Sequence, residues 1–265
     1  MPSKSGCSTL AVCAIVAQIF VPPIQAQVSQ QRDPTVVTSK ARAAARSPDS
    51  GQARLDTAEA ARRVVELTNT FRRRENLPQT GTAPQLASAA RYFADFMART
   101  GEFSHSADGS EPAARAQRFG YEYCTVAENI AYVINSEGTD TAELARRLFE
   151  GWQTSPGHRE NMLNPDVTET AVAVAHSPRT DYYYAVQLFG RPKSQMVEFK
   201  VANRTGDSAE YRLNGQTFQL PMRTTSTHQV CNRPTVEFRG KTLQPVNGQQ
   251  LVIVNDQTGM QLQAQ

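Results

Sequence analysis

The chain changes texture once, and that change restricts its fold more than any single residue does. Between Thr57 and Gly190, blocks with apolar residues at helical spacing alternate with runs of β-branched and small residues. After Gly190, Arg191 and Pro192 only short strand-like runs remain. Helices on one side of the boundary and none beyond it call for two compact units of different architecture.

In the first unit, Ala61, Val64, Val65, Thr68 and Phe71 mark a helix, with arginines and Glu66 between them. A second helix follows Pro84 with Leu86, Ala89, Ala90, Phe93 and Met97 on one stripe, and Gly101 supplies its stop. Pro112, at a position that needs no backbone donor, opens a shorter helix ending near Gly120. Thr139 or Asp140 caps a fourth that carries Leu144, Leu148, Phe149 and Trp152 and breaks at Ser155, Pro156 and Gly157. Val172 and Val174 among alanines, a turn at Pro178, and the run 182–189 read as two strands. Residues 57–192 are therefore expected to form an α/β unit, a three-layer α/β/α sandwich. The runs 196–201, 210–213, 217–220, 235–238 and 251–254, separated by turn pairs such as Asn214-Gly215 and Asn247-Gly248, point to a small all-β, sandwich-like domain over 193–265.

Residues 1–26 read as a secretory signal, with Lys4 ahead of an apolar stretch over 10–21 and a cleavage site at Ala26. The mature product is expected to be secreted or periplasmic. Residues 27–56 lack apolar periodicity and read as a disordered linker. No later stretch approaches the ~20 apolar residues of a membrane span. Removing the signal leaves Cys124 and Cys231, which in an oxidising compartment are expected to form a disulfide; two separate buried thiols are the alternative. A formal charge of +3, with arginines spread along the chain, gives no footprint for nucleic acid. Arg72, Arg73 and Arg74, at a helix C-terminus, read as a solvated face.

Three short motifs carry the chemistry: Phe103-Ser104-His105, Ala127-Glu128-Asn129, and Trp152 followed by Ser155-Pro156-Gly157-His158-Arg159. Two imidazoles and a carboxylate suffice for a divalent cation or a proton-transfer site if the fold brings them together. Their distance in sequence does not enforce that, and the bland alternative is a set of side chains that hydrogen-bond loops. Glu128 is a candidate general base or ligand, or a loop anchor. Ser155 near His158 suggests a nucleophile, but no Gly-x-Ser-x-Gly elbow surrounds it. Asp108 and Arg115 read as supports for the loop carrying His105, and Trp152 as core. In the tail, His228 and Cys231 have a metal-like spacing that competes with the disulfide, and Asn203-Arg204-Thr205 matches a glycosylation acceptor. Tyr182, Tyr183 and Tyr184 read as one inward and two outward strand side chains.

Taken in order, Asn69 with Arg72, Phe103 to His105, Asp108 with Gly109, Arg115, Gly120 with Tyr121, Glu128 with Asn129, Trp152, Ser155 to Arg159, Asn161, and Gln187 to Gly190 resemble the CAP superfamily. This is the superfamily of cysteine-rich secretory, antigen 5 and pathogenesis-related 1 proteins, here in its compact bacterial form over about 57–192. The resemblance implies an α/β/α sandwich. It places His105, Glu128 and His158 at three positions of a cleft tetrad that many members use to hold a divalent cation such as zinc, calcium or magnesium. The fourth position, a glutamate in larger members, is Ser155 here, and one anionic ligand fewer weakens the hold on a hard cation. The function it implies is that of a secreted protein binding a small-molecule, lipid, sterol, glycan or cell-envelope ligand in an open cleft, with an optional cation and no assigned reaction. Two alternatives stand beside it. One is a metal-assisted hydrolase using His105, Glu128 and His158; the other is an adhesion module acting through the β domain.

Overall fold

The computed structural model describes residues 55–134 and 139–265, with the backbone of three short strands before them, β1 (Gln18–Phe20), β2 (Gln27–Val28) and β3 (Thr35–Val37). The expected secretory signal and linker otherwise lie outside the described residues. Two compact units divide between Met196 and Val197.

In the first unit the elements run α1 (Thr57–Arg74), β4 (Gly81–Thr82), α2 (Pro84–Thr100), α3 (Pro112–Arg118), β5 (Tyr123–Ile134), α4 (Thr141–Thr154), α5 (Pro156–Met162), β6 (Glu169–Ser177) and β7 (Tyr182–Pro192). Local chemistry sets their ends. The Asp56 carboxylate accepts from the Glu59 amide at the start of α1, and Asp140 accepts from Glu143 at the start of α4. Gly101 closes α2 with φ of 80°, a left-handed turn that glycine adopts without penalty.

The strands form one sheet in the order β2-β5-β7-β6-β4, with β3 also pairing β5. β5, β7 and β6 are antiparallel neighbours, while the short β2, β3 and β4 add in parallel. One face of the sheet packs Val126, Ile130 and Leu188 under Leu86, Phe93 and Met97 of α2. The other packs Ala127 and Phe189 under Val64 and Phe71 of α1 and Leu148 and Trp152 of α4. This is the three-layer α/β/α sandwich.

Two readings of the sequence need correction here. Because both faces of the sheet are covered, Tyr183 and Tyr184 are both buried, on opposite sides, instead of one in and two out. And Arg72 is no part of a solvated face. It is fully buried, and its guanidinium donates to the carbonyls of Pro78, Met162, Asn164 and Val167, tying α1 to the segment after α5, while Arg73 and Arg74 are exposed. Four carbonyls replace a counter-ion, and burial lowers its pKa from the usual value.

The register of β5 against β7 shifts between Tyr123 and Thr125, leaving Cys124 as a bulged residue. Cys124 and Cys231 are both disulfide-bonded.

The second unit comprises β8 (Val197–Asn203), β9 (Ala209–Leu213), β10 (Gln216–Leu220), β11 (Thr225–Val230), β12 (Val236–Phe238), β13 (Lys241–Leu243), β14 (Gln250–Asp256) and β15 (Gly259–Ala264). One sheet has the order β1-β11-β8-β14-β15 and the other β10-β9-β12-β13. Phe199, Val201, Tyr211, Leu213, Val236, Leu251 and Leu262 are among its core residues. β11 escaped the sequence pattern because its inward positions include Ser226 and His228 beside Val230. His228 is buried against Phe199 and Phe218, and its Nε2 pairs with the Tyr211 hydroxyl. With Cys231 in a disulfide, no His228–Cys231 metal pair exists. Asn203 is also buried, its amide donating to the carbonyls of Asp207, Leu220 and Pro221, so it is closed to glycosylation.

Candidate functional site

The three motifs converge at the β5 edge of the sheet. β2 pairs with Thr125 and Val126 and β3 with Ala131 to Val133, so the Ala127-Glu128-Asn129 motif lies between the two pairings. Adjacent residues on a strand point to opposite faces. Glu128 therefore turns toward α3 and the loop after α2, and Asn129 toward α5.

On the Glu128 side, the left-handed turn at Gly101 starts the loop that carries His105 back over β5. His105 Nδ1 lies 2.9 Å from Glu128 Oε1. A carboxylate only accepts, so Nδ1 carries the proton and the carboxylate fixes the ring's orientation. The other carboxylate oxygen, Oε2, accepts from Arg115 Nη1 at 2.6 Å. Arg115 is the centre of this side. Its remaining donors reach Asp108 Oδ1 and Oδ2 at 3.0 and 3.2 Å, the His105 carbonyl at 2.7 Å and the Ser110 carbonyl at 2.9 Å. Its guanidinium also lies 3.3 Å from the centroid of the Phe93 ring on α2. Arg115 and Asp108 side chains are 0% exposed and Glu128 1%. Burial pushes the Asp108 carboxyl up, but the hydrogen bond and charge of Arg115 outweigh it and hold it below the usual carboxylate range.

On the Asn129 side, α5 presents His158 one turn after Ser155, and His158 Nδ1 lies 2.7 Å from Ser155 Oγ. Asn129 donates to the His158 carbonyl at 3.2 Å. Asn161 donates to the Glu128 carbonyl at 3.2 Å and to Asn129 Oδ1 at 2.9 Å. Gln187 of β7 joins this network, accepting from Asn129 and donating to Thr68 of α1. Burial first, and the neighbouring His105 second, push the His158 imidazole down to about 4. Trp152 is fully buried, its indole donating to the Ile130 carbonyl at 3.2 Å, and so holds α4 against β5 below the site.

His105, Glu128, Ser155 and His158 are thus brought into one neighbourhood, with Asp108, Arg115, Asn129 and Trp152 around them. Their arrangement does not fit a resident divalent cation held by all three of His105, Glu128 and His158. Both oxygens of Glu128 are committed, one of them to a guanidinium whose positive charge opposes a second cation. Each imidazole has Nδ1 engaged, which leaves at most its Nε2, and two protein ligands fall short of the three or four that a held zinc takes. Among the described residues, no group of three or more His, Cys, Asp or Glu has metal-holding geometry. Ser155 is likewise poorly set as a nucleophile, because a ring that ionises near pH 4 is a weak acceptor for its proton at neutral pH. The sequence marks Arg115 as a loop support, and its bonds to Asp108 and to the His105 carbonyl give it that role. Its bond to Glu128 had no signal in the spacing, because the two residues belong to different elements.

The family model of cysteine-rich secretory proteins, the CAP family, matches residues 65–189. Protein YkwD of Bacillus subtilis (strain 168) is 33% identical over 117 residues, 44% of this chain and 42% of that protein. The chain therefore spans less than half the length of that relative. Among solved structures, an outer surface protein of Borrelia burgdorferi is 20% identical with a TM-score of 0.46, over 52% of this chain and 96% of that one. An extracellular SCP-domain protein of Bacillus anthracis is 29% identical with a TM-score of 0.43, over 51% of this chain and 41% of that one. No helix among the described residues is long and apolar enough to cross a membrane.

Proposed function

The chain belongs to the CAP family of cysteine-rich secretory proteins through residues 65–189, and from there we propose that it is an exported, non-catalytic binding protein whose cleft takes a neutral, hydroxyl-rich ligand of the cell-envelope glycan class. The observation that carries this reading is the internal neutralisation of Glu128 by Arg115. It commits the one carboxylate that a hydrolytic mechanism or a cation would need, and leaves the site with His105, Ser155 and His158 as its hydrogen-bonding side chains. Uncharged donors and acceptors recognise hydroxyls and amides at little desolvation cost, whereas an ionic ligand would need a fixed counter-charge. No step in this function passes through a metal.

The test is calorimetric titration of the mature protein with soluble peptidoglycan fragments, repeated with EDTA and with a His105→Ala, His158→Ala double variant. Saturable binding that survives EDTA and is lost in the double variant is the expected result. Turnover of the fragments by the parent, abolished by EDTA, would instead establish the metal-assisted hydrolase. Failure to bind any fragment, with fatty-acid or sterol binding lost in the same double variant, would move the ligand class to lipids.

A further inference from the structure

Four aromatic rings meet on the α2 face of the sheet, at the end where β5 and β6 stop and β7 starts. Tyr132 and Tyr182 stack in parallel with centroids 5.1 Å apart. Phe103 meets Tyr132 edge-on at 4.9 Å, and Tyr184 lies 5.9 Å from Tyr132 and 6.3 Å from Tyr182. Tyr184 is buried, while Phe103, Tyr132 and Tyr182 are half-buried. A cluster that served the core alone would have its polar atoms paired, because native interiors leave few without a partner. Here, among the described residues, no hydrogen bond engages the hydroxyl of Tyr132 or of Tyr182. Ser177, the cross-strand partner of Tyr182, is fully buried, and its Oγ has no hydrogen-bond partner among those residues either. The loop that carries Phe103 is meanwhile tied to the β6–β7 turn, where Arg179 Nη2 donates to the Thr100 carbonyl at 2.7 Å. Gly101 makes room for that guanidinium, since an added Cβ would lie 2.5 Å from it.

We infer that Phe103, Tyr132 and Tyr182 form a stacking subsite for one ring of a neutral glycan, in which the unengaged tyrosine hydroxyls pair with hydroxyls of the sugar. Ser177 Oγ, below the surface, joins through a bridging water. The inference rests on the glycan reading above and extends it along β5. A pyranose has an apolar C–H face and a rim of hydroxyls. Aromatic rings that end in unpaired hydroxyls complement both at once. A hydrocarbon chain would leave those hydroxyls unpaired, and none of Phe103, Tyr132, Tyr182 and Ser177 offers a charge to an ionic ligand. Tyr132 lies four residues beyond Glu128 on the same face of β5, about 13 Å at ~3.3 Å per residue. The subsite is therefore distinct from the histidine site, and a glycan must be long enough to span the two before both contribute.

The test uses the disaccharide and the hexasaccharide of N-acetylglucosamine as probes, titrated by calorimetry into the full mature chain. Tyr182→Ala should weaken the hexasaccharide about tenfold, the worth of one aromatic contact, and leave the disaccharide unchanged. A Tyr132→Phe, Tyr182→Phe double variant keeps both rings and should weaken the hexasaccharide alone, by a smaller factor. In proton spectra of the bound hexasaccharide, C–H protons of one sugar ring should shift upfield over the tyrosine rings, and that shift should vanish in Tyr182→Ala. Trp152 fluorescence in urea shows whether each variant is folded; if the alanine variant is not, the phenylalanine pair decides. Hexasaccharide affinity unchanged in the tyrosine variants, or no upfield shift in the parent, would overturn the subsite. If the His105→Ala, His158→Ala variant then still loses the disaccharide, the glycan reading of the histidine site survives without it. No binding of either probe by the parent would overturn both.

Discussion

Replacing Arg115 by methionine should be among the most damaging single changes available to the first unit. The substitution keeps much of the side-chain volume and the contact with Phe93, so packing alone predicts a small effect. What it removes is the guanidinium that bridges two carboxylates that are 0% and 1% exposed, together with donors to the carbonyls of His105 and Ser110; Arg118, 3.7 Å from Asp108, reaches only one of the two. Breaking a buried ion pair by deleting one partner costs about 3–5 kcal/mol, against a total stability of roughly 5–15 kcal/mol. The chain contains a single tryptophan. Trp152 is fully buried in this unit, so its fluorescence follows the unit's unfolding directly. With a urea slope of ~2 kcal/mol/M, the midpoint should fall by about 2 M at pH 7. Because the network is shielded from solvent, the loss should change little with added salt. Adding Asp108→Asn and Glu128→Gln to the methionine variant removes the orphaned charges and should recover a large part of the loss. A midpoint shift equivalent to less than ~1 kcal/mol, with unchanged slope, would refute the reasoning, since Glu128 would then not depend on Arg115 for its charge.

The second unit makes a prediction about pH. Burial holds His228 down to about 4, so the unfolded chain takes up its proton first. That stability is complete above pH 6.5, is lost as the pH falls from there toward 4, and amounts to about 3 kcal/mol. The imidazole resonances of His228 should titrate near pH 4, and a midpoint at or above 6.5 would contradict the burial argument. Zinc, calcium and magnesium should show no tight stoichiometric binding to the mature protein by calorimetry; tight binding lost in the His105→Ala, His158→Ala variant would show that Arg115 does not keep Glu128 from a cation. At Gly190 an added Cβ would lie 2.6 Å from the Tyr121 ring, whose hydroxyl donates to Glu169 at 2.6 Å. Gly190→Ala should cost about 1–3 kcal/mol by overpacking, and an unchanged urea midpoint would contradict that close approach.

Much of the first unit is legible in its sequence because its long helices carry their own period and their own caps: Asp140 starts α4 and Gly101 closes α2 as the packing then requires. The second unit is less legible. In β11 two of the three inward side chains are a serine and a histidine, so the apolar alternation that marks a half-buried strand is broken although the strand is present. Arg72 misleads for a related reason. Its neighbours Arg73 and Arg74 are solvated, and only the three-dimensional meeting of α1 with the carbonyls of Met162 and Asn164 makes it a buried residue. Where the three motifs meet, residue types and order identify the participants, but the commitment of Glu128 to Arg115 depends on where α3 lands on β5.

The bulge at Cys124 works as a frameshift in the side-chain alternation of the chain. Upstream of it the odd-numbered Tyr121 and Tyr123 face the core beneath α2, and downstream the even-numbered Val126, Ile130 and Tyr132 face that same core. Cys124 is the uncounted residue that makes the two frames agree. Replacing Cys124 by alanine would keep the frame and lose only the bridge. Deleting the residue would keep neither, since Tyr121 and Tyr123 would be thrown onto the opposite face, and the contact of Tyr121 with Gly190 would go with them.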